Sequence, residues 1–371
     1  MELTADQQQF KDVVQRFFAD KSPPSAVRQL MASSDGYDPA VWRQMSSELG
    51  LSGSHIPEAY GGFGFGPVEL GLIAEEMGRR LYCGPFFSSS IMAGYALLEL
   101  GSESAKQQLL PMIADGSLIA TLVLDDLNGT ARLGHSLQVT GSQLSGHAAM
   151  VLDAGIAGQL LAIAKNDQGL GLYLVAPLAE GVSIQPREVL DPTRKLYSLQ
   201  FDCAPAELLG QVSAPSLQSL WDRLCLALAH EMIGGAQYLL DSTVEYTKLR
   251  VQFGRQIGSF QALKHRCAEL LMELELAKST VSFASYSMAT TTESDRPNYL
   301  PSMAKAMASD VYMMLAEAAV QLRGGIGFTW ENDTHLWFKR AKSSEVFLGS
   351  PHVHRERMMC LLEESQDVAI G

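Results

Sequence analysis

Residues 249–265 read LRVQFGRQIGSFQALKH, and the placement of this stretch decides how the chain is organised. Arg250, Phe253 and Gln261 stand at fixed offsets around Gly254 and Gly258. Helical patterning precedes the stretch (235–248) and follows it (262–278), so it is a corner between two long helices. Arg250 offers a planar fork that suits a phosphate. Phe253 offers a face that packs on a flat ring system. The two glycines let the backbone turn tightly. Two readings follow. One is a plain helix–loop–helix corner with an exposed arginine and a core phenylalanine; the other is a seat for an anionic cofactor.

Beyond the corner the chain stays helical from about residue 213, with segments near 215–250, 260–288, 298–323 and 335–364. Four helices of that length most simply form a bundle. On the other side, residues 119–124, 136–139, 160–164 and 172–175 are short apolar or alternating runs separated by Gly, Asp and Asn. Such strands imply a small barrel or two stacked sheets. Residues 1–118 return to helical patterning. Phe10, Val13, Val14 and Phe17 predict one buried face, and Thr4 with Gln7 a capping box. A second short helix is predicted over 41–49, stopped at Gly50. The fold class is therefore α+β multidomain. It comprises an N-terminal helical domain (1–118), a middle β-barrel or sandwich (119–212) and a C-terminal four-helix bundle (213–371).

Composition narrows the function. The 371 residues are 47% hydrophobic and 19% charged, as in an ordered globular protein. A formal net charge of −13 argues against nucleic acid and against anionic membranes as partners. Five scattered cysteines (Cys83, Cys203, Cys225, Cys267, Cys360) lack metal-ligand spacing, which predicts reduced, buried thiols in a cytosolic protein and no metal. The polar start MELTADQQQFKD carries no signal-peptide pattern, and no apolar run is long enough to span a membrane.

Three motifs carry a family resemblance. The corner holds R-x-x-F-G followed by F-Q. Residues 321–328 read QLRGGIGF, and residues 56–62 read IPEAYGG. In this order and at this spacing they resemble the acyl-CoA dehydrogenase family, over essentially the whole chain. The resemblance implies a helix–β–helix-bundle architecture, FAD as cofactor, an acyl-CoA thioester as substrate and an electron-transfer flavoprotein as acceptor. It assigns cofactor contacts to Arg250, Phe253, Gln261, Gln321, Gly324, Gly325 and Ser350. The loop around residues 56–62 is expected to shape the acyl end of the pocket.

The family reaction needs a carboxylate base beside the thioester, and the usual one lies in a Y-E-G-T segment. Here residues 346–350 read VFLGS, so Leu348 stands where the glutamate belongs, and leucine accepts no proton. An alternative family position, on the first bundle helix, falls at Leu224. Two acids lie near it. Asp222 precedes Arg223, as in the Glu-Arg pair of those members. Glu231 interrupts the apolar run LCLALAHEMIGGA, about 10 Å further along the same helix face. A carboxylate there is paired, with His230 or a basic group on another helix, or it is functional. Glu345, one turn before Leu348, reads as surface.

The β domain departs too. The family's T-E-P-x-x-G-S-D reads LDDLNGT (124–130) and its W-I-T-N-G reads MVLDA (150–154), so the hydroxyls expected at the flavin ring are missing. The half of the site that the family offers to a neighbouring subunit is kept; the chain's own half is degraded. That asymmetry resembles bacterial α2β2 acyl-CoA dehydrogenases of steroid side chains, in which this chain would complete a partner's FAD site. A self-sufficient homo-oligomer using Asp222 or Glu231, and a structural subunit without flavin, are the competing expectations.

Overall fold

The computed structural model describes residues 3–127, 129, 133–291 and 297–370, with side chains as far as residue 363. The helices are α1 (Ala5–Lys21), α2 (Pro24–Ala32), α3 (Pro39–Arg43), α4 (Pro67–Arg80), α5 (Gly94–Leu100), α6 (Glu103–Ala114), α7 (Ala214–Leu249), α8 (Gln261–Thr290), α9 (Leu300–Arg323), α10 (Thr334–Val346) and α11 (Pro351–Ile370). Strands β1 (Ala120–Val123), β2 (Leu137–Thr140), β3 (Gln143–Leu152), β4 (Gln159–Asn166), β5 (Gly169–Val175), β6 (Val182–Pro186), β7 (Leu196–Pro205) and β8 (Glu207–Val212) lie between α6 and α7. The chain divides into two compact units, Arg28–Leu70 with Cys83–Leu224, and Met1–Val27 with Gly71–Tyr82 and Cys225–Gly371.

The first unit holds the sheet. Its strands follow the order β6-β7-β3-β2-β4-β5-β8, with β1 parallel to β4. Strands β2 and β4 meet at one pair only, Gln138 and Lys165. The sheet is therefore nearly split there, and side chains of both halves, such as Leu144, Phe201, Leu160 and Tyr173, share one core. Four of its strands escape simple patterning: β3, β7 and β8 mix exposed and buried positions without strict alternation, with register shifts in the β3–β7 ladder, and β6 has no buried position. The predicted helix over 41–49 starts earlier, at Pro39 under an Asp38 cap, and widens into a π-helical turn at Gln44–Glu48. Gly50 then ends it at φ 66°.

The second unit packs α1 and α4 with the C-terminal helices. The Thr4–Gln7 capping box closes α1. Its buried face is Val14, Phe17 and Phe18, whereas Val13 is exposed; Phe18 takes the place expected of Val13. Helix α4 runs close against α7, because a side chain at Gly78 would meet the Glu231 carbonyl oxygen at 1.8 Å and one at Gly234 the Glu75 oxygen at 1.7 Å. That approach brings polar side chains of the two helices into contact. His230 bonds Glu75 through Nδ1 (2.9 Å) and Ser285 of α8 through Nε2 (2.6 Å).

Three further expectations need correction. The segment predicted as one helix over 335–364 is two, α10 and α11, separated by residues 347–350. Leu348 (φ 58°) and Gly349 (φ 95°) take left-handed backbone, and Pro351 opens the next helix. The corner at 249–265 is not a bare loop but a two-residue hairpin, Val251–Gln252 against Arg255–Gln256, turned by Phe253 and Gly254 at positive φ. The thiols divide as well. Cys83 and Cys225 are buried, but Cys203 and Cys360 are exposed, and all five are free. Among the described residues no helix is long and apolar enough to cross a membrane.

Candidate functional site

The hairpin lifts its functional side chains into solvent. Phe253 is 90% exposed, which overturns the core reading of this residue. It touches Phe260 edge to face at 6.1 Å, and Arg255 lies 4.0 Å over the Phe260 ring. Arg250 is exposed and its guanidinium makes no hydrogen bond among the described residues. Gln261 opens α8, where its amide contacts His265 at 3.3 Å. A groove of about 490 Å³ beside the corner is lined by Lys248, Gln256, Gly258 and Lys264, among others.

The second motif ends α9. Gln321 is exposed, and Gly324 and Gly325 have no heavy atom within 4 Å of where a side chain would stand. The backbone there is open to a ligand. Tyr246 joins the two motifs. Its carbonyl accepts the Arg250 N–H (2.9 Å) and its hydroxyl donates to the Arg323 carbonyl (3.4 Å). An exposed guanidinium, an exposed aromatic face and an open glycine pair fit an anionic dinucleotide with a planar ring system.

The position expected for the base is apolar and closed. Leu348 is 0% exposed. Its turn is held by two polar side chains absent from the sequence reading. Lys305, fully buried on α9, donates to the carbonyls of Ser344 (3.1 Å) and Gly349 (3.1 Å) and to Ser309 Oγ (3.1 Å). His354 Nε2 donates to the Leu348 carbonyl at 2.8 Å, which leaves Nδ1 to accept from Ser302, itself receiving Arg357. Burial, and then the Lys305 charge, push His354 down to about 3, although the Leu348 carbonyl pulls it up. The ring is neutral at pH 7. A lysine inside AKAMAS and a histidine in a polar run carry no mark that separates them from surface residues. Ser350 follows the turn, and its carbonyl accepts the His354 N–H at 3.1 Å.

The candidate acids are differently placed. Glu231 accepts from Arg340 of α10 at 2.6 Å, with both side chains about 4% exposed. Its partner is thus a basic group on another helix, while the neighbouring His230 serves Glu75. Asp222 is buried and accepts from Gln218 at 3.1 Å. The two lie nine residues apart on α7, which puts them on opposite faces of that helix. Glu345 pairs with Lys342 near the surface.

In the β domain, where the sequence departs from the family pattern, Asp125 is occupied by the backbone N–H groups of Gly134 (3.0 Å) and Ser136 (2.6 Å). Asn128 and Thr130 lie outside the described residues. Met150 is exposed, Val151 and Leu152 are buried, and Asp153 accepts from Ser88 at 2.6 Å.

Comparison with known proteins places this geometry. Residues 4–117 match the family model "Acyl-CoA dehydrogenase, N-terminal domain" and residues 220–360 "Acyl-CoA dehydrogenase, C-terminal domain". The acyl-CoA dehydrogenase IpdE2 of Mycobacterium tuberculosis is 34% identical over 360 residues, covering 97% of this chain and 98% of its own. Among solved structures, a chain of the ChsE4-ChsE5 complex from Mycobacterium tuberculosis superposes with a TM-score of 0.88 at 25% identity, covering 98% of each chain. A chain of the Tcur3481-Tcur3483 steroid ACAD superposes with a TM-score of 0.87 at 27% identity, covering 98% of this chain and 99% of that one. With its motifs, its helix–sheet–helix order and relatives matched end to end, the chain belongs to the acyl-CoA dehydrogenase family of FAD-dependent oxidoreductases.

Proposed function

We propose that this chain is one subunit of a hetero-oligomeric, α2β2 acyl-CoA dehydrogenase, and that its part is to complete the FAD site of a second, catalytic chain. Bound there, FAD would take the hydride in the α,β-desaturation of an acyl-CoA thioester. Arg250 would pair with the diphosphate, Phe253 would pack on a flat face, and Gly324 and Gly325 would give backbone access, with Gln261, Gln321 and Ser350 adding polar contacts. The observation that carries the reading is the contrast between these open residues and the closed base position. Leu348 is buried and apolar, whereas the hairpin presents a 90% exposed phenylalanine at positive φ. A large aromatic in that state costs free energy and points to a surface that is covered in the working assembly.

The similarity to chains of a complex with two named components, and to a steroid ACAD, supports a partner subunit and a bulky substrate such as a steroid side-chain or cyclic acyl-CoA. An electron-transfer flavoprotein is the proposed acceptor. Glu231 belongs to the scaffold in this reading, because Arg340 neutralises it. The test is the flavin content and mass of the chain purified alone and with its partner. A colourless chain that gains flavin only in the heteromer supports the proposal. A yellow, active homo-oligomer overturns it and returns the search for a base to Asp222 and Glu231.

A further inference from the structure

Arg323 is one of the two residues of QLRGG, with Leu322, that the family pattern Q-x-x-G-G leaves free, and it is 8% exposed. Its hydrogen bonds go to neutral acceptors. Nη1 donates to Thr243 Oγ1 (2.7 Å) and to the Ala319 carbonyl (3.1 Å), and Nη2 to Ser242 Oγ (2.9 Å). The guanidinium carbon lies 5.6 Å from the Tyr246 ring centroid. Among the described residues no carboxylate pairs with it. Burial opposes its charge, and Tyr238 and Tyr246 act the other way.

A guanidinium keeps its proton even here, so α9 ends on a buried positive charge without a counter-ion. The carbonyl end of the helix offsets about half a unit charge. What remains acts on the next two residues, Gly324 and Gly325, whose backbone is open. Tyr246 of α7, one helical turn before Arg250, bonds the Arg323 carbonyl with its hydroxyl, so the C-terminal end of α7 is fastened to that of α9.

We infer that Arg323 is a second, buried electrostatic anchor for the diphosphate of a dinucleotide seated on Gly324 and Gly325. The exposed Arg250 makes the contact; Arg323 supplies a field that water and salt screen poorly. The inference rests on the proposed FAD-completing role of this chain.

The test measures FAD affinity of the assembled flavoprotein at several salt concentrations, for wild type, Arg323→Gln, Arg323→Lys and Arg250→Ala. Glutamine keeps a donor for Thr243 and loses the charge. It is expected to weaken FAD binding ~10-fold at low and high salt alike, leaving the salt dependence to the exposed Arg250, whereas lysine stays within ~3-fold of wild type. A folded Arg323→Gln assembly with unchanged affinity overturns the inference. If that variant fails to assemble, Arg250→Ala decides. Residual FAD affinity that hardly responds to salt without Arg250 supports Arg323 as its source, and one that falls with salt as steeply as in wild type removes it. Affinity unchanged in Arg250→Ala as well as Arg323→Gln would instead remove the underlying reading, and this inference with it.

Discussion

Replacing Arg340 by methionine is the sharpest test of what Glu231 does. The pair is 2.6 Å apart and both side chains are about 4% exposed, so little solvent screens them. Removing the cation leaves Glu231 in a closed interior made by α4, α7 and α10. Breaking a buried pair from one side typically costs about 3–5 kcal/mol, because the remaining charge keeps its desolvation penalty. At roughly 2–4 °C per kcal/mol for a unit of this size, Arg340→Met should lower the melting temperature by about 10 °C. Glu231→Gln should cost about 2–3 kcal/mol, since the amide still accepts a hydrogen bond from the stranded guanidinium. The double variant Glu231→Leu with Arg340→Met should recover most of the loss, because two apolar side chains replace two desolvated ions. Differential scanning calorimetry of the four proteins, with turnover of the assembled enzyme, reads all of this. If Glu231→Gln melts like wild type while turnover disappears, the carboxylate is chemical and the scaffold argument is wrong.

Three further outcomes follow from the same geometry. His55 and His354 are both held down to about 3, His55 first by burial and then by the Arg223 charge, so each is neutral when folded and protonates near 6.5 when unfolded. Their contribution to stability is complete above about pH 6.5 and is lost as pH falls toward 3; His354→Gln should reduce the slope of stability against pH between 6.5 and 4 by about one proton, roughly 1.4 kcal/mol per pH unit, in urea titrations. At Leu348, glycine would relieve about 1 kcal/mol of left-handed strain but open a cavity costing about 2–5 kcal/mol, so the cavity wins and Leu348→Gly should destabilise; a raised melting point would contradict the packing described. At Phe253 the strain has no burial to offset it, so Phe253→Gly should stabilise the free chain by about 0.5–1 kcal/mol while weakening flavin retention in the assembly; unchanged retention would dissociate this residue from the cofactor.

The sequence by itself determined the family, the order of helical, β and helical regions, the α1 capping box and the leucine, Leu348, that stands where the family pattern has its glutamate. These are local properties: periodicity over a few turns, a cap at fixed spacing, one residue in one motif. The strands β3, β6, β7 and β8 were not legible, because their burial follows a folded-over sheet with shifted register rather than a simple alternation. The division of the last helix was hidden for a related reason. Residues 347–350 leave the helix under carbonyl bonds from Lys305 and His354, which come from α9 and α11. Only the tertiary structure decided that Glu231 faces Arg340 rather than its neighbour His230, that Phe253 is exposed, and that Arg323 packs on Tyr246 and bonds Ser242 and Thr243. The first and last are meetings of side chains far apart in the chain, set by how closely helices approach, and no local pattern encodes that distance.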